Sequence, residues 1–180
     1  MLRILTFITL FSLTAAVSAN SLYQVDLILF THHASSAPIP EGSPLVSSRT
    51  PNTIPLQTAT GESMTPYHLI PFASSHLRNE YWALNHRPNY QVLEHYTWLQ
   101  PSNNQRSVAL PETHKHGWQI AGTLRVRQSN YYLLDTDLLF SSPGAKSAFS
   151  FVQKQRLKPG KTYYLDHPQV GMLIKVQQVA

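Results

Sequence analysis

The sequence contains no cysteine among its 180 residues. This absence excludes disulfides, cysteine nucleophiles, thiolate metal ligands and lipid attachment through a cysteine. Acidic residues are also few, because 9 Asp and Glu stand against 14 Lys and Arg, giving a formal net charge of +5. Gly-x-Ser-x-Gly, Ser-x-x-Lys and glycine-rich phosphate-loop motifs are missing as well. We therefore expect a non-enzymatic protein whose fold depends on burial and backbone pairing alone.

Long apolar runs are confined to the N-terminus. An almost unbroken apolar stretch follows Arg3 and ends in small residues at Ala19. It is shorter than the ~20 residues that a membrane-spanning helix needs, and it has the layout of a cleavable secretory signal peptide. We therefore predict an exported protein without a membrane span, with a signal peptide at 1–19 and a single domain at 20–180.

Charge is unevenly distributed along the chain. The stretch 20–105 has three basic and five acidic residues, whereas 106–180 has ten basic and four acidic residues. A basic half attracts anionic partners over long range. In an envelope compartment these are peptide carboxylates of the cell wall, lipid head groups or another protein, and nucleic acid is not expected there. The alternative is that these lysines and arginines only solvate exposed strand faces.

Alternating apolar and polar residues indicate a fold with several strands. The first strand is followed by 31–75, which is rich in Ser, Thr and Pro and predicts a long loop insertion. A helix is predicted from His76 or Leu77 to about His86, with Ser75 as its cap. A tight turn is predicted at Ser129-Asn130, since Asn tolerates positive φ. The predicted strands are 23–30, 90–99, 118–127, 131–140, 149–157 and 170–179.

These elements predict an α+β single domain with a mainly antiparallel sheet of about six strands, one helix and a long irregular insertion after the first strand. The connection from 30 to 90 is long enough for a crossover, so we expect the first two strands to be parallel.

Nine histidines raise the question of a metal site. Their spacing does not give the paired ligands of a closed site, so we expect no metal and no cofactor. Asp135 and Asp137 share one strand face, and we expect them either to be solvated or to pair with Arg125 or Arg127 on the neighbouring strand. The candidate metal ligands are His32, His33, His114, His116 and His167.

Two stretches of the sequence, 90–100 and 163–171, resemble the CsiV family of periplasmic peptidoglycan-binding proteins. The resemblance implies a non-catalytic envelope protein that binds peptidoglycan. It also implies that the protein assists an outer-membrane lipoprotein activator of a penicillin-binding protein. The residues that carry the resemblance are Tyr90, Leu93, His95, Trp98, Gln100, Tyr164, Leu165, Asp166, His167, Pro168 and Gly171.

Candidate ligand-binding residues lie on the polar faces of the predicted strands. Arg125, Arg127, Lys154 and Arg156 are suited to pairing with carboxylates of the wall. Among the motif residues, Trp98 is expected in the core, and Asp166-His167-Pro168 is expected to form a turn. Tyrosines that could either stack on sugars or pack within the strands are Tyr131, Tyr132, Tyr163 and Tyr164.

Two other functions fit the same sequence. One is a protein-interaction module that uses an open sheet edge or the Pro-rich stretch. The other is a wall-active hydrolase or metalloprotein.

Overall fold

The computed structural model describes residues 21–32, 52–58, 65–145 and 147–179. The predicted signal peptide and much of the predicted insertion lie outside these residues. The described residues form ten strands, a 3-10 turn at Phe72–Ser74 and one helix, α1, at Arg78–Asn85. The strands are β1 (Leu22–His32), β2 (Thr53–Pro55), β3 (Tyr90–Pro101), β4 (Ser107–Ala109), β5 (Thr113–Lys115), β6 (Trp118–Gln128), β7 (Tyr132–Ser141), β8 (Phe149–Leu157), β9 (Thr162–Asp166) and β10 (Val170–Gln178).

The strands form two sheets rather than the single sheet predicted. Sheet A has the order β3-β1-β10-β9, and all its pairs are antiparallel. Sheet B has the order β2-β4-β6-β7-β8, with β5 added to β6. Among the described strand pairs, only β2 and β4 are parallel. The mainly antiparallel pairing and the single helix are confirmed for the described residues.

The main core lies between the two sheets. Period-2 alternation along each long strand turns every second side chain inward, and the two inner faces bury each other. Each large side chain that is fully buried in this way stabilises the fold by about 1.5–3 kcal/mol. The largest contributors are Tyr23, Leu27, Leu29, Leu93 and Trp98 from sheet A, and Ile120, Leu124, Leu134, Phe140 and Phe151 from sheet B.

Helix α1 covers the outer face of sheet A. Leu77, Tyr81 and Leu84, three and four residues apart, form its inner stripe and pack on an apolar patch of β1, β3 and β10. The helix begins one residue after Leu77, which occupies the N-cap position. The predicted cap, Ser75, lies further upstream, and its hydroxyl oxygen accepts the backbone N–H of Leu77 at 3.0 Å.

The predicted parallel pairing of the first two strands is wrong. Strands β1 and β3 are antiparallel, with Val25 opposite Trp98. Between them the chain leaves sheet A to form β2 in sheet B, and it then returns along the edge of β3. The return is held by two backbone hydrogen bonds, Tyr67 N–H to the carbonyl of Leu99 at 2.8 Å and Ile70 N–H to that of Thr97 at 2.9 Å. A long connection permits a crossover but does not require one.

Four strands were not predicted. Three of them, β2, β4 and β5, have only three residues each, which is too short for a period-2 pattern. Strand β2 lies inside the predicted insertion, and Leu56 directly after it is buried. Strand β9 contains the Tyr-Tyr-Leu-Asp part of the second motif and leads into the predicted turn before β10.

Two hairpins shape sheet B. The predicted turn between β6 and β7 is confirmed at 129–131, where the N–H of Ser129 donates to the carbonyl of Tyr131 at 2.8 Å. The left-handed backbone expected at Asn130 occurs instead in the β5–β6 turn. There His116 has φ 53° and Gly117 has φ 80°, as a two-residue type I′ turn requires.

Candidate functional site

The outer face of sheet B brings all four predicted ligand-binding residues together. In the strand register, Arg125 on β6 lies opposite Asp135 on β7, which lies opposite Lys154 on β8. Two residues along, Arg127 and Arg156 lie on either side of Leu133. The period-2 geometry of β6, β7 and β8 therefore places these four basic side chains on one face. We call the surface formed by Arg125, Arg127, Lys154 and Arg156 the basic face.

A single carboxylate holds the two arginines of β6. Arg125 donates to one oxygen of Asp135 through Nε at 3.0 Å and Nη2 at 2.7 Å, and Arg127 donates to the same oxygen through Nη2 at 3.1 Å. The expected pairing is thereby confirmed for Asp135, whereas Asp137 is exposed and has no Lys, Arg or His of the described residues within 4.0 Å. Because two cations share one anion, the cluster keeps a positive charge. The shared contact also fixes the orientation of both guanidinium groups.

Lys154 and Arg156 flank an open groove of about 290 Å³ on the basic face. Its lining also includes Arg127 and Leu133. Among the described residues, neither Lys154 nor Arg156 has an acidic group within 4.0 Å. The guanidinium carbon of Arg156 lies 5.0 Å from the centre of the Tyr131 ring, a cation–π contact. The groove therefore offers unpaired cations above a partly apolar surface.

The candidate metal ligands do not converge. Within the described part of the chain, no group of three His, Asp or Glu side chains lies close enough to hold a metal ion. His33 lies outside the described residues. The ring of His32 instead connects the end of β1 to the β9–β10 turn, with Nε2 at 2.9 Å from the carbonyl oxygen of His167 and 3.3 Å from Oδ1 of Asp166.

Two residues of the first family motif, Trp98 and Gln100, belong to a buried hydrogen-bond network between the sheets. Gln100 donates through Nε2 to the hydroxyl of Tyr23 at 2.6 Å and to the carbonyl of Val126 at 2.9 Å. Tyr23 donates to the same carbonyl at 2.7 Å, and Trp98 donates to Oε1 of Gln100 at 3.2 Å. Burial raises the pKa of Tyr23 and keeps its hydroxyl a donor. Trp98 lies in the core as predicted, and this network joins sheet A to β6.

The second family motif surrounds Phe30 and the β9–β10 turn. The ring of Phe30 lies between Tyr90, at 5.6 Å, and Tyr164, at 6.0 Å, and it covers Gly171. Tyr164 donates to the carboxylate of Asp166, and burial together with that carboxylate raises the pKa of Tyr164.

The end of the same motif contacts sheet B. The ring of His167 stacks on Phe149 with centroids 4.6 Å apart. Burial lowers the pKa of His167. The amide of Gln153 on β8 donates to the carbonyl of Asp166 at 2.8 Å. The motif turn therefore connects the edges of the two sheets.

A polar cluster that the sequence did not predict lies beneath the 72–78 segment. The carboxylate of Asp26 is fully buried. It accepts hydrogen bonds from the amide of Gln24 at 3.0 and 3.1 Å and from the hydroxyl of Thr97 at 2.9 Å, and Nδ1 of His76 lies 3.1 Å away. The available signal was the placement of Gln24 and Asp26 on one face of an otherwise apolar strand.

Next to this cluster, Ser75 and His95 lie 2.8 Å apart, from Oγ to Nε2. Burial lowers the pKa of His95, and the negative charge of Asp26 partly opposes that shift. A serine near a histidine and an aspartate has the residue types of a hydrolase. Ser75 is only 3% exposed, however, and its oxygen also accepts the N–H of Leu77. The contact therefore holds the start of α1 on sheet A.

The architecture is a β-sandwich with a basic outer face on one of its two sheets. The family model of the peptidoglycan-binding protein CsiV matches residues 2–179. The chain belongs to the CsiV family, and the resemblance predicted from the two motifs is confirmed. Comparisons with curated proteins and with solved structures gave no match. In the described residues, no helix has the length and hydropathy needed to cross a membrane.

Proposed function

We propose that this protein is a non-enzymatic, periplasmic peptidoglycan-binding protein whose basic face holds carboxylates of the wall's stem peptides. The observation that carries the proposal is the convergence of Arg127, Lys154 and Arg156 around one open groove. Family membership supports peptidoglycan as the ligand and the envelope as the location.

The groove residues have complementary tasks in this binding. Arg127 is held in place by Asp135, so its remaining donors are oriented before a ligand arrives. Lys154 and Arg156 supply charges that no acidic group among the described residues neutralises. A guanidinium group binds a carboxylate through two parallel hydrogen bonds, and a lysine contributes a compact charge. The binding is therefore expected to weaken as salt screens the charges.

The proposal includes the role that the family resemblance implies. The wall-bound protein assists an outer-membrane lipoprotein that activates a penicillin-binding protein. Cross-linking in intact cells, followed by identification of the attached protein, tests this role. Recovery of wall fragments alone, without such a lipoprotein, would contradict it.

Sedimentation with purified sacculi tests wall binding. We expect the full mature chain to sediment at low salt and to be released by added salt. The double variant K154A/R156A should lose at least about tenfold in affinity, because it removes two charge-assisted contacts. K158A/K161A is the matched control, since it removes two exposed positive charges in the neighbouring β8–β9 connection.

The two double variants distinguish binding at the basic face from a general effect of positive charge. If both lose affinity equally, the basic face is not the site. If the unaltered chain stays in the supernatant at low salt, the proposal of wall binding fails. Circular dichroism shows whether each variant is folded.

A further inference from the structure

A second exposed surface lies on the opposite side of the sandwich from the basic face. It is formed by the 3-10 turn and by α1, which covers the outer face of sheet A. Phe72 is 40% exposed and Trp82 is 51% exposed, whereas Tyr81 between them packs towards the sheet. We call Phe72, Tyr81 and Trp82 the aromatic platform.

The rings of the platform support one another. Phe72 lies 5.0 Å from Tyr81 and 6.3 Å from Trp82, and Tyr81 lies 5.5 Å from Trp82, all in edge-to-face arrangements. Tyr81 also stacks on His95 at 5.6 Å. These contacts orient the exposed rings in the free protein, so a ligand that stacks on them loses little rotamer freedom.

The platform is bordered by side chains that can donate hydrogen bonds to a ligand or accept them from it. Arg78 and His86 lie one helical turn on either side of Trp82, and the His86 ring is 5.9 Å from the indole. Asn79 and Asn85 are three residues from Trp82, and all four border residues are exposed. Among the described residues, the large exposed aliphatic side chains are Val152 and Val179, which belong to other parts of the fold.

This composition favours a sugar ring over a protein partner. A stable protein interface buries about 800 Å² on each partner around an apolar centre, which two rings do not provide. A pyranose is about the size of one indole and presents C–H groups on its face and hydroxyls on its rim. The C–H groups are attracted to the negative face of an aromatic ring, and the hydroxyls suit amide, imidazole and guanidinium partners.

We propose that the aromatic platform binds a pyranose ring of a polysaccharide, with Trp82 stacking on the sugar and Arg78, Asn85 and His86 bonding its hydroxyls. The polysaccharide is either the amino-sugar glycan of the wall or a neutral glucan. This site is separate from the carboxylate site of the basic face. If both sites contact the wall, the two binding events reinforce each other through effective concentration.

The test uses tryptophan fluorescence of the full mature chain. Of the three tryptophans, Trp98 is fully buried, Trp118 is 9% exposed and Trp82 is the accessible one. Acrylamide quenching therefore reports mainly on Trp82. The probes are chitohexaose, an oligomer of N-acetylglucosamine, and cellohexaose, an oligomer of glucose. We expect chitohexaose to protect Trp82 from acrylamide in a saturable way.

Calorimetry with the same probes completes the test. W82A should raise the Kd at least about tenfold, as expected for the loss of one stacking contact, and W82F should recover part of the affinity. Y131A removes an exposed aromatic ring beside the basic face and should leave the Kd unchanged. K154A/R156A should also leave it unchanged, which separates this site from the proposed carboxylate site.

Four outcomes are informative. Equal protection by cellohexaose supports pyranose binding and assigns the site to polysaccharides without amino-sugar preference. Absence of protection by both oligomers overturns the proposal, as does an unchanged Kd in folded W82A. Protection of Trp82 by a purified protein, with none by either sugar, makes the platform a protein interface and overturns it too.

Discussion

The ring of Phe30 occupies the space that a side chain at Gly171 would need. A Cβ placed on Gly171 would lie 2.4 Å from Cζ of Phe30 and 2.9 Å from Cε2 of Tyr164. Phe30 is only 2% exposed and packs between Tyr90 and Tyr164, so its ring has little room to move. We predict that G171A lowers the free energy of unfolding by about 1–3 kcal/mol, measured by urea denaturation.

A double-mutant cycle isolates this contact. F30L removes the ring, so the cost of G171A should shrink by at least half in that background. If G171A costs the same with Leu at position 30, the close approach of the ring is not the reason for glycine there.

The buried hydrogen-bond network around Gln100 gives a second prediction. Q100M keeps the approximate shape of the side chain but leaves Nε1 of Trp98 without its acceptor, inside the core. We expect a loss of about 1–3 kcal/mol in the free energy of unfolding. Y23F should cost less, about 1 kcal/mol, because it removes two bonds of the network rather than three. It leaves one Nε2–H of Gln100 without its acceptor, but the carbonyl of Val126 still accepts a bond from Gln100.

The critical result is which of the two variants, Q100M or Y23F, loses more of the free energy of unfolding. Both are measured by urea denaturation at neutral pH. An equal or larger loss in Y23F would mean that the tyrosine hydroxyl, and not the glutamine amide, holds the two sheets together.

Acid should destabilise the protein through His95 and His167. Burial lowers the pKa of both histidines in the folded state, whereas in the unfolded chain each titrates near its ordinary value of ~6.5. Between the folded and unfolded pKa values, the unfolded chain binds more protons. The free energy of unfolding therefore falls as the pH drops below about 6.5. Urea denaturation at a series of pH values measures this slope.

Two histidine-to-glutamine variants show whether His95 contributes to this pH dependence of stability. H95Q should flatten the decrease in stability below about pH 6.5, since Gln does not titrate. H114Q is the control, because His114 is exposed on β5 and should leave the slope unchanged. Equal slopes in H95Q and in the unaltered chain would contradict the assignment.

The parts of this structure that could be predicted from sequence are those with strong local patterns. Strands β6, β7 and β8 largely follow a period of two, so Arg125, Arg127, Lys154 and Arg156 could be assigned to their polar faces. The helix was predictable for the same reason. Its inner stripe of Leu77, Tyr81 and Leu84 also places Trp82 about 100° from Tyr81, which indicates that Trp82 is exposed.

The parts that could not be predicted depend on contacts distant in sequence. Three-residue strands carry no period, and β2 is recognisable only because it pairs with β4, more than fifty residues later. The antiparallel pairing of β1 with β3 depends on the path of the chain between them. The burial of Asp26 depends on Thr97 and His76, which reach it from other elements.

Asp135 neutralises part of the positive charge of the basic face, and a variant that keeps its shape but removes its charge tests this role. D135N removes the carboxylate shared by Arg125 and Arg127, so both guanidinium groups become available to an external anion. We predict stronger binding to sacculi at low salt, with release at a higher salt concentration, because the face gains one unit of positive charge. The free energy of unfolding should fall by only about 1 kcal/mol, since the two arginines are partly solvated.

D137N is the matched control for this prediction. Asp137 lies two residues along the same face, opposite Thr123 and Val152, so its loss adds the same charge without freeing an arginine. A smaller gain in D137N than in D135N would show that the released guanidinium groups bind the wall directly. Weaker binding in D135N would show instead that the carboxylate is needed to hold Arg127 in its binding orientation, and it would contradict the prediction.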